Sequence, residues 1–287
     1  MSRTKLFQLA SIVFVVAVGG VGCGKKDEGQ GGAKPTTDPN AGKTDPNAGK
    51  TDPNAGKTDP GPGPTPPPAG GKGTITGKVN LDGAAPKMNP LPRQSDPYCA
   101  KEAMNANHVV AAADGGLGDV LVRLPNGAIK DQKPPADPVA IDQKSCMYTP
   151  HVSGAMAGQT IAVKNSDTIM HNIHTYAGEE NWFNEAQPPG APELKKEIEA
   201  DAGQVLKIAC DVHKWMEAHV VLSDHPFYAV TGADGSFKIE NVPAGTYELE
   251  AWHPHINGVV KANVTVEDGK TAEAKLTFKA SDYQEPK

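Results

Sequence analysis

A strand-like run over residues 205–209 ends at Cys210, and from there a thiolate, an imidazole and a thioether recur three residues apart as Cys210, His213 and Met216. Few metal sites use that mixture of donors. A Cys thiolate and two His nitrogens in a plane, with a long, weak axial Met, form the blue-copper electron-transfer site. The loop holds three of those four donors, so a second His has to come from elsewhere, and the fold has to hold two distant stretches together. The upstream run Asn165-Ser166-Asp167-Thr168-Ile169-Met170-His171-Asn172-Ile173-His174 offers it.

These two stretches resemble the copper-binding strand and ligand loop of cupredoxins of the amicyanin type. In that family an Asn stands six residues before a His that is followed by Asn-Val-His, as Asn165 stands before His171-Asn172-Ile173-His174. The ligand loop reads Cys-x2-His-x2-Met. The resemblance implies His171, Cys210, His213 and Met216 as ligands of one mononuclear type 1 copper. It implies Asn165 as the residue that ties the ligand loop to the neighbouring strand. It also implies the edge of His213 as a solvent-facing electron port, with Trp215 in the apolar patch around it. Met170 stands where the family usually has Pro, and Trp215 where amicyanin has Phe; neither change removes a donor. Zinc in the same residues is disfavoured, because a thioether is a poor zinc ligand. A binuclear copper centre needs a second Cys in the loop.

The chain opens with an export signal: Arg3 and Lys5, then an apolar run over residues 6–18 that is short for a permanent membrane span. It ends at Gly20-Val21-Gly22-Cys23, which resembles the bacterial lipobox, with Gly20 where Leu is usual. The resemblance implies cleavage before Cys23, lipid on its sulfur, and a mature chain in the periplasm or at the cell surface, anchored to a bacterial membrane. An ordinary secretory signal cut near the same place is the other reading. Residues 24–73 form a tether, in which Thr-Asp-Pro-Asn-Ala-Gly-Lys repeats from Thr37, Thr44 and Thr51 before a Pro- and Gly-rich stretch. With almost no apolar side chains to bury, this segment is expected to be disordered, and Pro and Gly in every repeat exclude a coiled coil.

The folded part is expected from Thr74. Of the 28 basic and 34 acidic residues, nine and six lie before it, so the remainder is near −9. That charge argues against nucleic acid and is compatible with a basic redox partner protein. Alternating apolar and polar residues separated by Asp-Gly and Pro-rich turns predict an all-β chain. The expected strands include residues 74–81, 108–113, 119–124 and 159–165, and a hairpin that pairs 193–199 with 205–210. Beyond Met216 the pieces Asp234-Gly235-Ser236-Phe237 and Val242-Pro243-Ala244-Gly245-Thr246-Tyr247 resemble the carboxypeptidase regulatory-like domain, a small transthyretin-like β-sandwich. The resulting plan is a cupredoxin Greek-key β-sandwich over 74–223, then a regulatory-like sandwich over 224–287.

With Cys23 assigned to lipid and Cys210 to copper, Cys99 and Cys146 remain, and an oxidising compartment permits a disulfide between them; a metal site of Cys146 with His151 is the alternative. His253 and His255, two apart, read as surface polar residues. His174 and His219 flank the copper stretches and are not assigned as ligands. No hydrolase or nucleotide motif occurs. The expected function is one-electron transfer by a non-enzymatic carrier, with a copper-holding chaperone or scavenger, or a surface interaction or glycan-binding lipoprotein, as alternatives.

Overall fold

A computed structural model describes residues 70–286; the export signal with Cys23, and the tether up to residue 69, lie outside the described residues. The described residues form sixteen strands and three short 3-10 turns, with no α-helix. The strands are β1 (Lys72–Asp82), β2 (Leu121–Arg123), β3 (Val139–Lys144), β4 (Met147–Thr149), β5 (Val152–Met156), β6 (Thr160–Asn165), β7 (His171–Ala177) and β8 (Glu180–Gln187). They continue as β9 (Leu194–Glu197), β10 (Val205–Ala209), β11 (Glu217–Ser223), β12 (Tyr228–Val230), β13 (Ser236–Pro243), β14 (Gly245–His253), β15 (Ile256–Val266) and β16 (Thr271–Lys279).

Four sheets make two sandwiches. One pairs the order β5-β11-β10-β7-β8 with β4-β3-β6-β9, and the other pairs β13-β1-β16 with β12-β2-β14-β15. Ile141, Ile161, Val163, Ile173, Leu206, Ile208, Ala218 and Val220 share the first core. Ile75, Val79, Val122, Phe237, Leu249, Val264, Leu276 and Phe278 share the second. In both, side chains two apart on each strand point into the same core, as a pleated strand requires.

The boundary expected at residue 223 is not where the sandwiches divide. β1, read from sequence as the first strand of the metal-binding half, lies in the C-terminal sandwich, between β13 on one edge and β16 on the other. β2 likewise pairs with β12 and β14. The first sandwich, β3 to β11, is therefore inserted into the second. The chain leaves and returns side by side: Leu124 N–H donates to Phe227 O at 3.1 Å, and Gly127 N–H to the Asp224 carboxylate at 2.7 Å. Alternation shows that residues 74–81 have a face to bury, but not which sheet receives the backbone edge. Gly77 on β1 leaves room for the Phe237 ring, which a Cβ there would meet at 2.7 Å.

A small apolar seam joins the sandwiches. Leu121, Val152 and Val221 are buried in it, flanked by Tyr228 and Trp252. Gly154 on β5 lies so near the Tyr228 ring that any Cβ would collide with it.

Two strand expectations are also corrected. β9 forms near residues 193–199, but it pairs with β6 in the opposite sheet and not with β10, whose two edges are taken by β7 and β11. The chain crosses between sheets just after β9, burying Ile198 in the core. β9 is an edge strand, with charged Lys195 and Glu197 exposed. Residues 108–113 form no strand; a single bridge, Ala111 to Leu117, is all the pairing they make.

Candidate metal centre

β10 delivers Cys210, and the loop after it folds back on itself. Met216 N–H donates to His213 O at 2.9 Å, and Cys210 N–H to Met216 O at 3.3 Å. The loop is further tightened by the His213 N–H, which points at the Cys210 sulfur at 3.4 Å. β7, the neighbour of β10, opens with His171. His171 Nδ1 lies 2.9 Å from His213 Nδ1, which lies 3.8 Å from Cys210 Sγ. Ligand atoms of His171, Cys210 and His213 all fall within 4.8 Å of one another. Met216 is completely buried in the same core cluster as Cys210. Four sequence-selected donors thus come from two adjacent strand ends, and all are buried.

Carboxylates stand behind both imidazoles. His171 Nε2 lies 2.9 Å from Asp167 Oδ2, and His213 Nε2 lies 3.4 Å from Asp96 Oδ2. An Nε2–H donated to a carboxylate leaves the Nδ1 lone pair for an ion, the arrangement that orients metal-bound histidines. Burial lowers the His171 pKa below that of a free imidazole, against the opposing pull of Asp167, and so favours the neutral, ligating form. Burial would raise Asp96, but the backbone N–H groups of Cys99 and Tyr98, with His213, hold it below the usual carboxylate range. Two His nitrogens and a thiolate drawn together, with a buried thioether in the same core cluster, fit the donor set of type 1 copper.

Two roles implied by resemblance fall differently. Asn165 does not reach the Cys210 loop; its amide donates to Ile169 O and Gln187 O at 2.8 and 2.9 Å, and its Oδ1 accepts from Asp167 N–H. It holds the turn before His171 in place. The tie between strand and loop is Asn172, whose Oδ1 accepts from Asp211 N–H at 2.6 Å and from the Cys210 thiol at 3.3 Å. Asn172 sits on β7 beside β10 and reaches the loop directly, whereas Asn165 is turned toward β8.

The edge of His213 is not a solvent-facing port. His213 is 2 % exposed, covered by Asp96 and by Trp215, whose ring centroid lies 5.2 Å away. The cover is a segment with no counterpart in the sequence motif: a 3-10 turn at Arg93–Ser95, a second at Cys99–Lys101, and a disulfide from Cys99 to Cys146. Buried Arg93 stitches them, donating to Cys99 O and Ser145 O at 3.0 and 2.9 Å. Trp215 donates to Cys146 O at 3.0 Å and packs against Leu91, Ala106 and Met147 beneath this cover. His174 turns away, to Asp211 and the Tyr176 hydroxyl.

Sequence reading missed Asp96, Asp167 and Asn172. Asp167 and Asn172 lay inside the motif and carried a signal: a carboxylate four residues before a ligand, and an amide immediately after it. Asp96 carried none, being brought to His213 only by the disulfide-linked cover.

Residues 215–279 match the carboxypeptidase regulatory-like domain. The match begins in the ligand loop and takes in β11, which belongs to the inserted sandwich; β1 and β2, which complete the regulatory-like sandwich, lie outside it. No curated protein matches the chain. Among solved structures, it is similar to the Cu-containing nitrite reductase (NirK) from Thermus scotoductus SA-01, at 14 % identity and TM-score 0.27, over 34 % of this chain and 25 % of that one. This chain thus spans about a quarter of that enzyme's length. It is also similar to a purple cupredoxin from Nitrosopumilus maritimus, at 21 % identity and TM-score 0.24, over 36 % of this chain and 97 % of that one. A third similarity is to amicyanin from Paracoccus versutus, at 19 % identity and TM-score 0.26, over 37 % of this chain and 99 % of that one.

Proposed function

We propose that this chain is a membrane-tethered, extracytoplasmic copper protein that carries single electrons. The observation that carries the reading is the convergence of His171 Nδ1, His213 Nδ1 and Cys210 Sγ next to buried Met216. Copper bound there would supply a one-electron couple. The protein's part is to hold the donors still. Asp167 and Asp96 fix the two rings, Asn172 fixes the thiolate, and the cover excludes water. A site locked on every side supports electron transfer over a metal-handing chaperone, whose ligands have to open to release the ion. With the His213 edge covered, electrons leave by the Cys210–Val212 turn, where Val212 is 51 % exposed two residues from the thiolate. The partner is a redox protein that accepts this acidic chain.

Titration with Cu(II) is expected to produce an intense visible thiolate-to-copper band and a narrow copper hyperfine splitting. Cys210→Ser should abolish the band, because oxygen cannot supply that transition. Met216→Leu should keep the colour and raise the potential, since losing the weak axial donor favours Cu(I). A colourless one-to-one Cu(II) complex of the wild type would falsify the reading. Tethering rests on the lipobox-like sequence at Cys23: Cys23→Ser should abolish lipid labelling and release the protein from the membrane fraction. Unchanged fractionation without incorporated lipid would sink that part alone.

A further inference from the structure

On the far side of β11 from the copper ligands, a second set of imidazoles is buried. Met216, Ala218 and Val220 face the first core, so Glu217 and His219 point the other way, toward the regulatory-like sandwich. There they meet His151 from just before β5, His108 from the chain before β2, and His253 and His255 from the β14–β15 turn. Ring centroids lie 4.6 Å apart for His108 and His255, 5.5 Å for His151 and His255, and 5.8 Å for His219 and His255. The expectation that His253 and His255 are surface residues fails: they are 2 % and 6 % exposed.

Buried polar atoms are normally hydrogen-bonded, and these are not. His151 Nε2, His219 Nδ1, His255 Nε2 and Glu217 Oε1 all lack a hydrogen-bond partner. His255 Nε2 and Glu217 Oε1 face each other at 3.0 Å as an ion pair, and Lys207 Nζ lies 3.0 Å from the other carboxylate oxygen, Glu217 Oε2. Ligand atoms of His108, Glu217 and His255 all lie within 4.8 Å of one another. The Asp119 carboxylate lies 3.3 Å from His151 Nδ1, which leaves the Nε2 lone pair free in the manner of a metal-bound histidine. His253 is different: its Nδ1 accepts the His255 N–H at 3.1 Å, so its proton sits on Nε2 and it cannot ligate through that nitrogen.

The geometry points to a second metal site at the junction of the two sandwiches: a divalent late first-row ion, zinc(II) or copper(II), held by His108, Glu217 and His255, with the free nitrogens of His151 and His219 at its edge. Imidazole with one carboxylate is a donor set for either ion. The site would clamp residues that the chain order keeps far apart, and its Glu217 directly follows Met216 in the chain.

The test uses the full mature chain, stripped of metal and titrated with zinc(II) alone or copper(II) alone, with retained metal counted after gel filtration. His255→Gln and Glu217→Gln are each expected to remove one equivalent, or to weaken it about tenfold or more, whereas Cys210→Ser should keep it. In the copper arm, the His255-dependent equivalent should give a Cu(II) signal of wide hyperfine splitting with no intense visible band. Zinc that survives copper loading marks zinc as the resident ion; displacement marks copper. Zinc should raise the thermal midpoint of the wild type and of Cys210→Ser, but not of the two junction variants, which separates lost binding from lost folding. If no blue band forms but the His255-dependent equivalent persists, this site stands and the electron-carrier reading falls. Equal retention by wild type, His255→Gln and Glu217→Gln, with no zinc-induced stabilisation, overturns it.

Discussion

A fragment of residues 224–287, the regulatory-like half as chain order would cut it, is expected to be unfolded on its own, while the chain from Gly70 to its end folds. The fragment lacks β1, which sits in the middle of its sheet with β13 on one side and β16 on the other. Without β1 these two strands lose their shared partner, and nine residue pairs of the parallel β1–β16 ladder disappear. Ile75 and Val79 are fully buried and Leu81 nearly so. At about 1.5–3 kcal/mol for each buried aliphatic side chain, removing them forfeits as much as the whole stability of a small domain. Val122 and Leu124 of the same core are lost as well. Circular dichroism and proton chemical-shift dispersion would check this, and a synthetic peptide of residues 70–82 should restore order to the fragment in trans. A cooperative thermal transition in the isolated fragment would show that β1 is an accessory strand and that the nested arrangement is not needed for stability.

Asp167→Ala should be the most damaging single substitution near the metal centre. Asp167 is 4 % exposed and serves four partners. Its Oδ1 accepts from Ser145 N–H at 2.7 Å and from the Tyr98 hydroxyl at 3.2 Å; its Oδ2 accepts from Cys146 N–H at 2.8 Å and faces His171 Nε2 at 2.9 Å. Ser145 and Cys146 both have positive φ, 52° and 53°, a conformation that side-chain-bearing residues adopt only when their surroundings hold them there. Removing the carboxylate strands the buried Cys146 N–H, the half-buried Ser145 N–H and the imidazole. At about 1–3 kcal/mol for each unsatisfied group, the destabilisation should be about 3–5 kcal/mol, within the range for breaking a buried charged network. Asp167→Asn keeps the volume but turns an N–H2 toward donors, and should be nearly as severe. Copper affinity should fall about 10–100-fold, as for other partners behind a ligating His. Denaturant midpoints and copper titrations of the two variants provide the check. A loss of under about 1 kcal/mol would mean that the network is strong only on paper and that water replaces the carboxylate.

The amino-acid sequence by itself singled out the candidate donors, which the fold brings together. Cys210, His213 and Met216 share one loop, so their spacing is local and readable. His171 was legible because Asn165 and the His171-Asn172-Ile173-His174 run sit in one short stretch. Strand positions were legible because alternation reflects which face of a pleated strand is apolar. Tertiary structure decided what each strand lies against. The backbone N–H and C=O groups that join strands are the same at every residue, so nothing in residues 74–81 distinguishes the sheet of β13 and β16 from that of β3 and β6. It also decided that β9 crosses to the other sheet, because the edges of β10 were already filled. Asp96 over His213, the Arg93 stitch, and the meeting of His108, His151, Glu217, His219 and His255 join residues from separate parts of the chain. Side chains that meet only after the sandwiches dock leave no periodicity or spacing behind, and so two histidines that read as surface residues became part of a buried cluster.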